Sequence, residues 1–240
     1  MKKSEELFNT LVQEADRNNS IFVDTFASAH ELKTLLSFMP RVAGSSVLDI
    51  GCGTGRFVIP IAKIASHVTA IDMAKESIKL LRAKAKKEHL ENISASVMDF
   101  HDLPSSKKFD YVLLVNVVHH VPEVEELFEK IKQVLKKNGR VVIFECNPLN
   151  PLFIPFFIVY KQVTMHANKE YLRSNIWTLQ SIIKKGGYTV TQCKKYAFLP
   201  TALYNISPFF LKMNTVLNSI PFINVFCAFH IITCKIGNHE

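Results

Sequence analysis

Between residues 47 and 144 the chain alternates short apolar runs with longer amphipathic stretches. The apolar runs are typical of buried strands, and the longer stretches repeat apolar residues with the period of a helix. The pattern predicts strands at 47–50, 68–71, 93–98, 109–115 and 140–144, and helices at 56–67, 74–89 and 122–137. Strands and helices in this order form a mostly parallel sheet, which binds ligands beyond the carboxyl ends of its strands.

The flanking regions are less regular. Residues 1–40 have helical periodicity that ends at Pro40, and we expect Pro60 to delay or distort its own helix. After Glu145, prolines interrupt an apolar stretch that reaches Tyr160. The remaining pattern predicts a helix at 174–185, a strand at 188–197, a helix at 207–220 with a serine cap and a proline at its first position, and a last strand at 226–236.

Length and composition are those of one large folded unit. The chain has 240 residues, 48% hydrophobic and 21% charged, so it can bury a full core without disulfides or metals. None of the five cysteines is in a C-x-x-C pair, and we expect no metal site. The polar N-terminal stretch lacks an apolar signal core, which predicts a reducing, cytoplasmic location.

Charge and aromatic residues are unevenly distributed. The formal charge of +8 divides into +1 for residues 1–150 and +7 for residues 151–240, where nine of the 18 phenylalanines lie. A basic, apolar end section indicates an apolar or anionic partner, such as a membrane surface. The alternative is a buried apolar layer with solvated lysines at its margin, and the pattern alone leaves both open.

The most informative motif is Val-Leu-Asp-Ile-Gly-Cys-Gly-Thr-Gly at residues 47–55. Glycines at alternate positions after a strand allow a tight turn and a close approach of the backbone to a ligand. The spacing is neither G-x-G-x-x-G nor a P-loop. Two carboxylates, Asp72 and Asp99, follow the next two strands, and a carboxylate at that place can accept hydrogen bonds from ribose hydroxyls.

Four runs in this order, VLDIGCGTGRF, VTAIDM, SVMDFHDLP and FDYVLLVNVVHHV, resemble the class I S-adenosylmethionine-dependent methyltransferases over residues 45–146. The resemblance implies an α/β fold, a Rossmann-like three-layer sandwich whose seven-stranded, mostly parallel sheet has its last strand antiparallel. We expect a single domain over residues 1–240. Within it we expect an N-terminal helical cap at 1–40, a cofactor-binding core at 41–146, and substrate-cap insertions at 147–170 and 199–222.

The resemblance also implies contacts to S-adenosylmethionine. Asp49 and the loop residues Gly51, Cys52, Gly53 and Gly55 would hold the methionine part of the cofactor. The remaining contacts would come from the ends of the following strands. They are Asp72 to the ribose, Met73 against the adenine, Asp99 to the adenine amino group with Phe100 beside it, and Asn116 and Val117 near the sulfonium.

The candidate catalytic residues are His119, His120 and Glu145. Either histidine titrates near neutrality and could act as a general base for an oxygen nucleophile, although a structural role fits the pair as well. Glu145 ends the fifth predicted strand, where it would meet a substrate hydroxyl or the cofactor's ammonium, or would serve only as a loop carboxylate. His30, Tyr160 and His166 are weaker candidates.

These features predict methyl transfer to a small or lipid-like hydrophobic acceptor, with oxygen favoured over carbon or nitrogen. Nucleic-acid substrates are not expected, because residues 116–119 lack the (N/D)-P-P-(Y/F) run of amino-methyltransferases and no Pro-Cys pair is present. Two alternatives stay open, a cofactor-binding interaction module without turnover and an NAD-dependent oxidoreductase. The helix at 207–220 could be a lid, a homodimer contact or a peripheral membrane contact.

Overall fold

Buried aliphatic runs pair into one seven-stranded sheet in the computed structural model, which describes residues 26–152 and 171–237. The strands are β1 Ser46–Ile50, β2 His67–Asp72, β3 Ile93–Val97, β4 Phe109–Val115, β5 Leu135–Cys146, β6 Tyr188–Tyr196 and β7 Phe229–Ile236. Their order is β3-β2-β1-β4-β5-β7-β6. Strands β1 to β5 are parallel, and β7 runs antiparallel between β5 and β6, so the predicted fold class is confirmed.

Helices cover both faces of this sheet. They are α1 Phe26–Ser37, α2 Val58–Ala62, α3 Lys75–Lys87, α4 Val124–Val134, α5 Ile176–Lys185 and α6 Pro208–Ser219. Neighbouring strand residues point to opposite faces, so Val47 packs in the core beneath α1 to α3 and Leu48 in the core beneath α4 and α5. Each face of the sheet therefore buries its own apolar layer, which gives the three-layer arrangement.

Two predicted boundaries differ from the structure because tertiary contacts override the local pattern. The helix predicted to run to residue 137 ends at Val134, and β5 begins at Leu135 instead of residue 140. Extended backbone buries Leu135 opposite Phe109 and lets the Lys136 ammonium reach Asp110 at 2.8 Å. The last strand likewise begins at Phe229, after a 3-10 turn at Ile223–Phe226.

Pro60 acts as expected, since α2 is delayed and short. The helix begins at Val58, so Pro60 is its third residue, where a backbone N–H would have no partner within the helix. The predicted helical stretch in residues 1–25 lies outside the described residues, as does most of the apolar stretch at 147–160. Across the described ranges, no helix has the length and apolarity needed to cross a membrane.

Gly55 lies where the chain between β1 and α2 passes over α3. Its φ is +83°, and an added Cβ would lie 2.3 Å from Cδ1 of the buried Leu81. Gly53 also has a positive φ of +52°, but a Cβ there would meet nothing within 4 Å. The two glycines thus separate the effect of backbone strain from the effect of a steric clash.

We expect Gly55→Ala to lower the free energy of unfolding by roughly 2–5 kcal/mol, because the backbone strain of a positive φ and the steric clash with Leu81 add. The matched control Gly53→Ala should cost only about 1–2 kcal/mol, from the left-handed conformation alone. Urea denaturation of both variants measures the difference. Equal losses would mean that the contact with Leu81 does not constrain this loop.

Candidate functional site

The glycine loop of residues 51–55 connects β1 to α2 at the carboxyl edge of the sheet. Gly51, Gly53 and Gly55 all have positive φ, which explains why the chain uses glycine at alternate positions. The backbone N–H groups of Gly51 and Cys52 both donate to the carbonyl of Ile71, at 2.8 and 3.1 Å. These bonds hold the loop against the end of β2, where the next predicted site residue lies.

Asp72 ties the glycine loop to the start of α3. Its Oδ2 accepts a hydrogen bond from the N–H of Gly53, and its Oδ1 accepts one from the N–H of Ala74, both at 2.8 Å. Burial raises the pKa of Asp72, although the two N–H donors favour its charged form. Each oxygen keeps a second lone pair, so a ligand hydroxyl can still donate to this carboxylate.

Asp49 lies buried beneath the same loop, and its Oδ1 has no hydrogen-bond partner among the described residues. Burial and the nearby charge of Asp72 raise the pKa of Asp49 to about 8. A buried, unpartnered carboxylate is costly, and a cationic ligand would lower that cost. The carboxyl groups of Asp49 and Asp72 therefore fit a ligand that carries both a positive charge and ribose hydroxyls, as S-adenosylmethionine does.

The residues predicted to meet the adenine divide into two groups. Met73 is exposed beside the loop, whereas Phe100 is buried in the core under α4 and α5. Asp99 Oδ1 accepts hydrogen bonds from the backbone N–H and from Nδ1 of His101, at 2.9 and 2.6 Å. The bond to Asp99 raises the pKa of His101, which the sequence analysis did not single out. A carboxylate has further lone pairs, so Asp99 can also accept a hydrogen bond from a ligand.

The end of β4 contacts the glycine loop directly. Asn116 adopts φ +53°, and its Oδ1 accepts a hydrogen bond from the N–H of Cys146 at 3.2 Å, which joins the ends of β4 and β5. Val117 packs against Gly51 so closely that a Cβ there would lie 2.6 Å from Val117 Cγ2. Val117 thus lies against the glycine loop, whereas Asn116 is held at the adjoining ends of β4 and β5. Their contact with a cofactor stays a prediction.

Glu145 is fully buried and organises the turn that follows β4. Its Oε1 accepts hydrogen bonds from the N–H groups of Val117 and Val118, both at 2.7 Å, and its Oε2 lies 2.5 Å from Nδ1 of His119. Burial alone would lower the pKa of His119, but its hydrogen bonds with Cys146 and Glu145 raise it to about 10. His119 is therefore protonated at neutral pH, and Glu145 faces the protein rather than a substrate.

His120 differs from its neighbour in both exposure and charge. The residue is exposed, and its ring centroid lies 4.0 Å from that of His119. Desolvation by the surrounding atoms and the positive charge of His119 lower the pKa of His120 to about 4. At neutral pH His120 is therefore the neutral member of the pair and retains a lone pair that can accept a proton.

A polar cluster that the sequence analysis missed joins α1 to the glycine loop. Arg56, directly after the loop, forms an ion pair with the buried Glu31 of α1, and Glu31 Oε1 accepts a hydrogen bond from Thr201 Oγ1 at 2.6 Å. His30 Nδ1 lies 2.7 Å from the hydroxyl of Tyr196. In the sequence, this cluster was indicated only by the position of Arg56 directly after the glycine loop. Tyr160 and His166 lie outside the described residues.

A metal ion has one candidate location within residues 26–152 and 171–237. His119, Glu145 and Cys146 place ligand atoms within 4.8 Å of one another. Glu145 Oε2 already binds His119 through a charge-assisted hydrogen bond, which accounts for their short separation without a metal. A metal ion would have to displace that proton.

We expect Glu145→Gln to lower the pKa of His119 from about 10, because the buried imidazolium then loses its carboxylate partner and keeps the contact with Cys146. The wild-type pKa is raised in the folded state, so the pair stabilises the fold fully below about pH 6.5. This contribution is lost as the pH rises toward about 10. NMR titration of the imidazole nitrogens measures the shift, with His120→Gln as the control that keeps the high pKa. Titration of wild-type His119 near pH 6.5 would contradict the ion pair.

Comparison with known proteins places this arrangement in a family. Residues 41–201 match the family model described as a methyltransferase domain, which is more than half of the chain. The demethylmenaquinone methyltransferase of Tropheryma whipplei is 27% identical over 216 residues, which cover 83% of this chain and 89% of that protein. The ubiquinone biosynthesis O-methyltransferase of Glaesserella parasuis is 36% identical over 110 residues, or 43% of this chain and 46% of that protein.

Solved structures share the fold at low identity. Magnesium protoporphyrin IX methyltransferase from Synechocystis, with bound S-adenosylhomocysteine, has a TM-score of 0.65 and 14% identity, covering 98% of this chain and 99% of that one. A SAM-dependent methyltransferase from Aquifex aeolicus has a TM-score of 0.62 and 16% identity, covering 95% of this chain and 98% of that one. The family match does not support the oxidoreductase or the module without turnover. The chain belongs to the methyltransferase-domain family and is an S-adenosylmethionine-dependent methyltransferase.

Proposed function

We propose that the enzyme methylates a hydroxyl oxygen of a small, hydrophobic acceptor of the quinone-precursor type. The observation that carries the choice of oxygen is the exposed, neutral His120, which follows the β4 turn that packs against the glycine loop. The names of the relatives, a demethylmenaquinone methyltransferase and a ubiquinone biosynthesis O-methyltransferase, support a quinone-like acceptor.

The cofactor contacts follow from groups that are partly or wholly unsatisfied. Asp49 would bind the positively charged methionine part, and the backbone of residues 51–55 would lie along it. Asp72 would accept from the ribose hydroxyls, and Asp99 Oδ2 from the adenine amino group, with the exposed Met73 against the ring. When bound, the cofactor supplies an electrophilic methyl group on a sulfonium.

The two histidines take different roles in this proposal. An acceptor hydroxyl must lose its proton as its oxygen forms the new bond to carbon, and the exposed His120 beside the β4 turn is the group placed to receive it, although its lowered pKa makes it a weak base. His119 cannot serve, because it already carries a proton and is held by Glu145. Glu145 is then a positioning residue that fixes the turn, rather than a group that touches the substrate.

Aromatic side chains fill the core near the end of β5. Phe144 packs against Phe229 with ring centroids 5.2 Å apart, and against Tyr196 at 5.9 Å. Phe144 and Tyr196 are themselves buried, so these rings support the active-site edge rather than line an acceptor pocket. The names of the relatives therefore carry the choice of an apolar acceptor.

We expect Asp72→Asn to weaken S-adenosylhomocysteine binding by about 10–100-fold, because a hydrogen bond from a hydroxyl to a charged acceptor is worth roughly 1.5–3 kcal/mol. Asp110→Asn is the matched control. Asp110 also accepts hydrogen bonds from a backbone N–H and a side chain of Ser46, but lies at the opposite edge of the sheet. Calorimetry compares the two variants, and equal affinities would exclude Asp72 from the cofactor site.

We expect His120→Gln to lower kcat by about 10²–10⁴-fold without changing S-adenosylhomocysteine affinity, as loss of a general base does. His119→Gln should instead reduce stability, because it leaves the buried Glu145 carboxylate without its counter-ion. Activity is assayed with short-chain prenylated dihydroxynaphthalenes and catechols as acceptors and with labelled S-adenosylmethionine as the methyl donor. Mass spectrometry locates the transferred methyl group. Transfer to ring carbon, or turnover only on polar substrates, would contradict the proposal.

A further inference from the structure

Phe222 lies at the centre of a strained and exposed turn. Its φ and ψ are +69° and −42°, and the N–H of Ile223 donates to the carbonyl of Pro221 at 2.9 Å. This is the γ-turn with positive φ, which is rare and strained, above all for a bulky residue. The ring is 86% exposed, so burial of its apolar surface does not offset that strain.

Phe222 belongs to a row of exposed apolar side chains between residues 206 and 226, called here the apolar edge. The most exposed of the others are Ile206 at 73%, Phe209 at 62% and Val216 at 61%. Exposed side chains of Ile220 and Phe226 complete it. Scattered apolar residues on a surface are ordinary, but here helical spacing places Phe209, Val216 and Ile220 on one face, directly before the exposed Phe222.

Helix α6 is anchored by a polar residue and turns apolar ones outward. Asn214 is its buried residue, and its Oδ1 accepts hydrogen bonds from the N–H groups of Phe198 and Leu199 at 2.6 and 2.7 Å. Its Nδ2 donates to the hydroxyl of Tyr204 at 2.7 Å. Phe210, Met213 and Leu217 are half-buried on the same side as Asn214, so the apolar residues of α6 are divided between the protein and the solvent. Hydrogen bonds thus hold α6 in place and leave Phe209 and Val216 outside.

The charges around the apolar edge are positive. Lys212 on α6 is the single charged residue of the stretch 199–228, and the Lys195 ammonium donates to Asn224 Oδ1 at 2.7 Å, beside the Phe222 turn. Residues 151–240 contain only two acidic residues, Glu170 and Glu240, and neither lies in the apolar edge. Two copies meeting through this edge would bring like charges together, whereas an anionic surface complements it.

We propose that the apolar edge docks on an anionic lipid bilayer, with Phe222 and Phe209 inserted at the interface and lysines against the headgroups. Aromatic rings with basic neighbours are suited to that interface. The turn at Ile223–Phe226 leads into β7, whose Phe229 pairs with Cys146 at the carboxyl end of β5. Docking would therefore bring the active-site edge to the membrane. The inference rests on the proposed function, because a hydrophobic acceptor of the quinone-precursor type partitions into a bilayer.

Vesicle flotation of the whole enzyme tests the proposal, using phosphatidylcholine vesicles with and without phosphatidylglycerol. We expect the wild type to float with the anionic vesicles and to be released by salt. Phe222→Asn removes the ring but tolerates a positive φ, and together with Phe209→Ser it should reduce the partition coefficient at least tenfold. The matched control is Trp177→Ala, which removes a similarly exposed aromatic ring from α5 and should leave binding unchanged.

Two further readouts separate this proposal from the proposed function. The double variant should retain wild-type affinity for S-adenosylhomocysteine, together with wild-type turnover of a short-chain, water-soluble acceptor. It should lose turnover of an acceptor embedded in vesicles. Equal flotation of the wild type and the double variant, or no flotation of either, would overturn membrane docking whatever the acceptor proves to be. So would a concentration-dependent dimer in sedimentation that the double variant abolishes.

Discussion

The geometry of the active-site edge depends on one buried carboxylate, Glu145. A charged group without solvent is costly unless it is paired and hydrogen-bonded, and Glu145 is satisfied by two backbone N–H groups and by His119. These bonds shape the turn after β4. The same turn sets Val117 against Gly51 and makes His119 cationic. Desolvation, together with the charge of His119, lowers the pKa of His120. A single desolvated charge thus links the cofactor loop to the proposed base.

The opposite situation holds at Asp49, which is buried with an unpartnered oxygen, close to the charge of Asp72. The three glycines of the loop that follows have positive φ, and a side chain at Gly51 or Gly55 would also clash with Val117 or Leu81. Such a site is stabilised when a cation binds, because binding to the folded state alone adds to its stability. The same burial that raises the pKa of Asp49 therefore favours a positively charged ligand over a neutral one.

Local patterns were sufficient for the strands, the glycine loop and the positions of Asp49 and Asp72, because each depends on a few consecutive residues. They were not sufficient for Leu135, where pairing with Phe109 overrides a helical pattern. The tertiary fold brings Arg56 to Glu31, and it brings Thr201 to Glu31 across a separation of 170 residues. Spacing along the chain carries no information about such pairs.

Helix α6 shows a subtler limit of sequence patterns. Its apolar periodicity and its Ser207 cap predicted a helix correctly, and Ser207 Oγ accepts a hydrogen bond from the N–H of Phe209. Periodicity identifies an apolar face but not the direction in which that face points. The direction is set by Asn214, because two backbone N–H groups after β6 need an acceptor and its amide supplies one. The Asn214 side therefore faces the protein with the half-buried Phe210 and Leu217, and Phe209 and Val216 are left exposed.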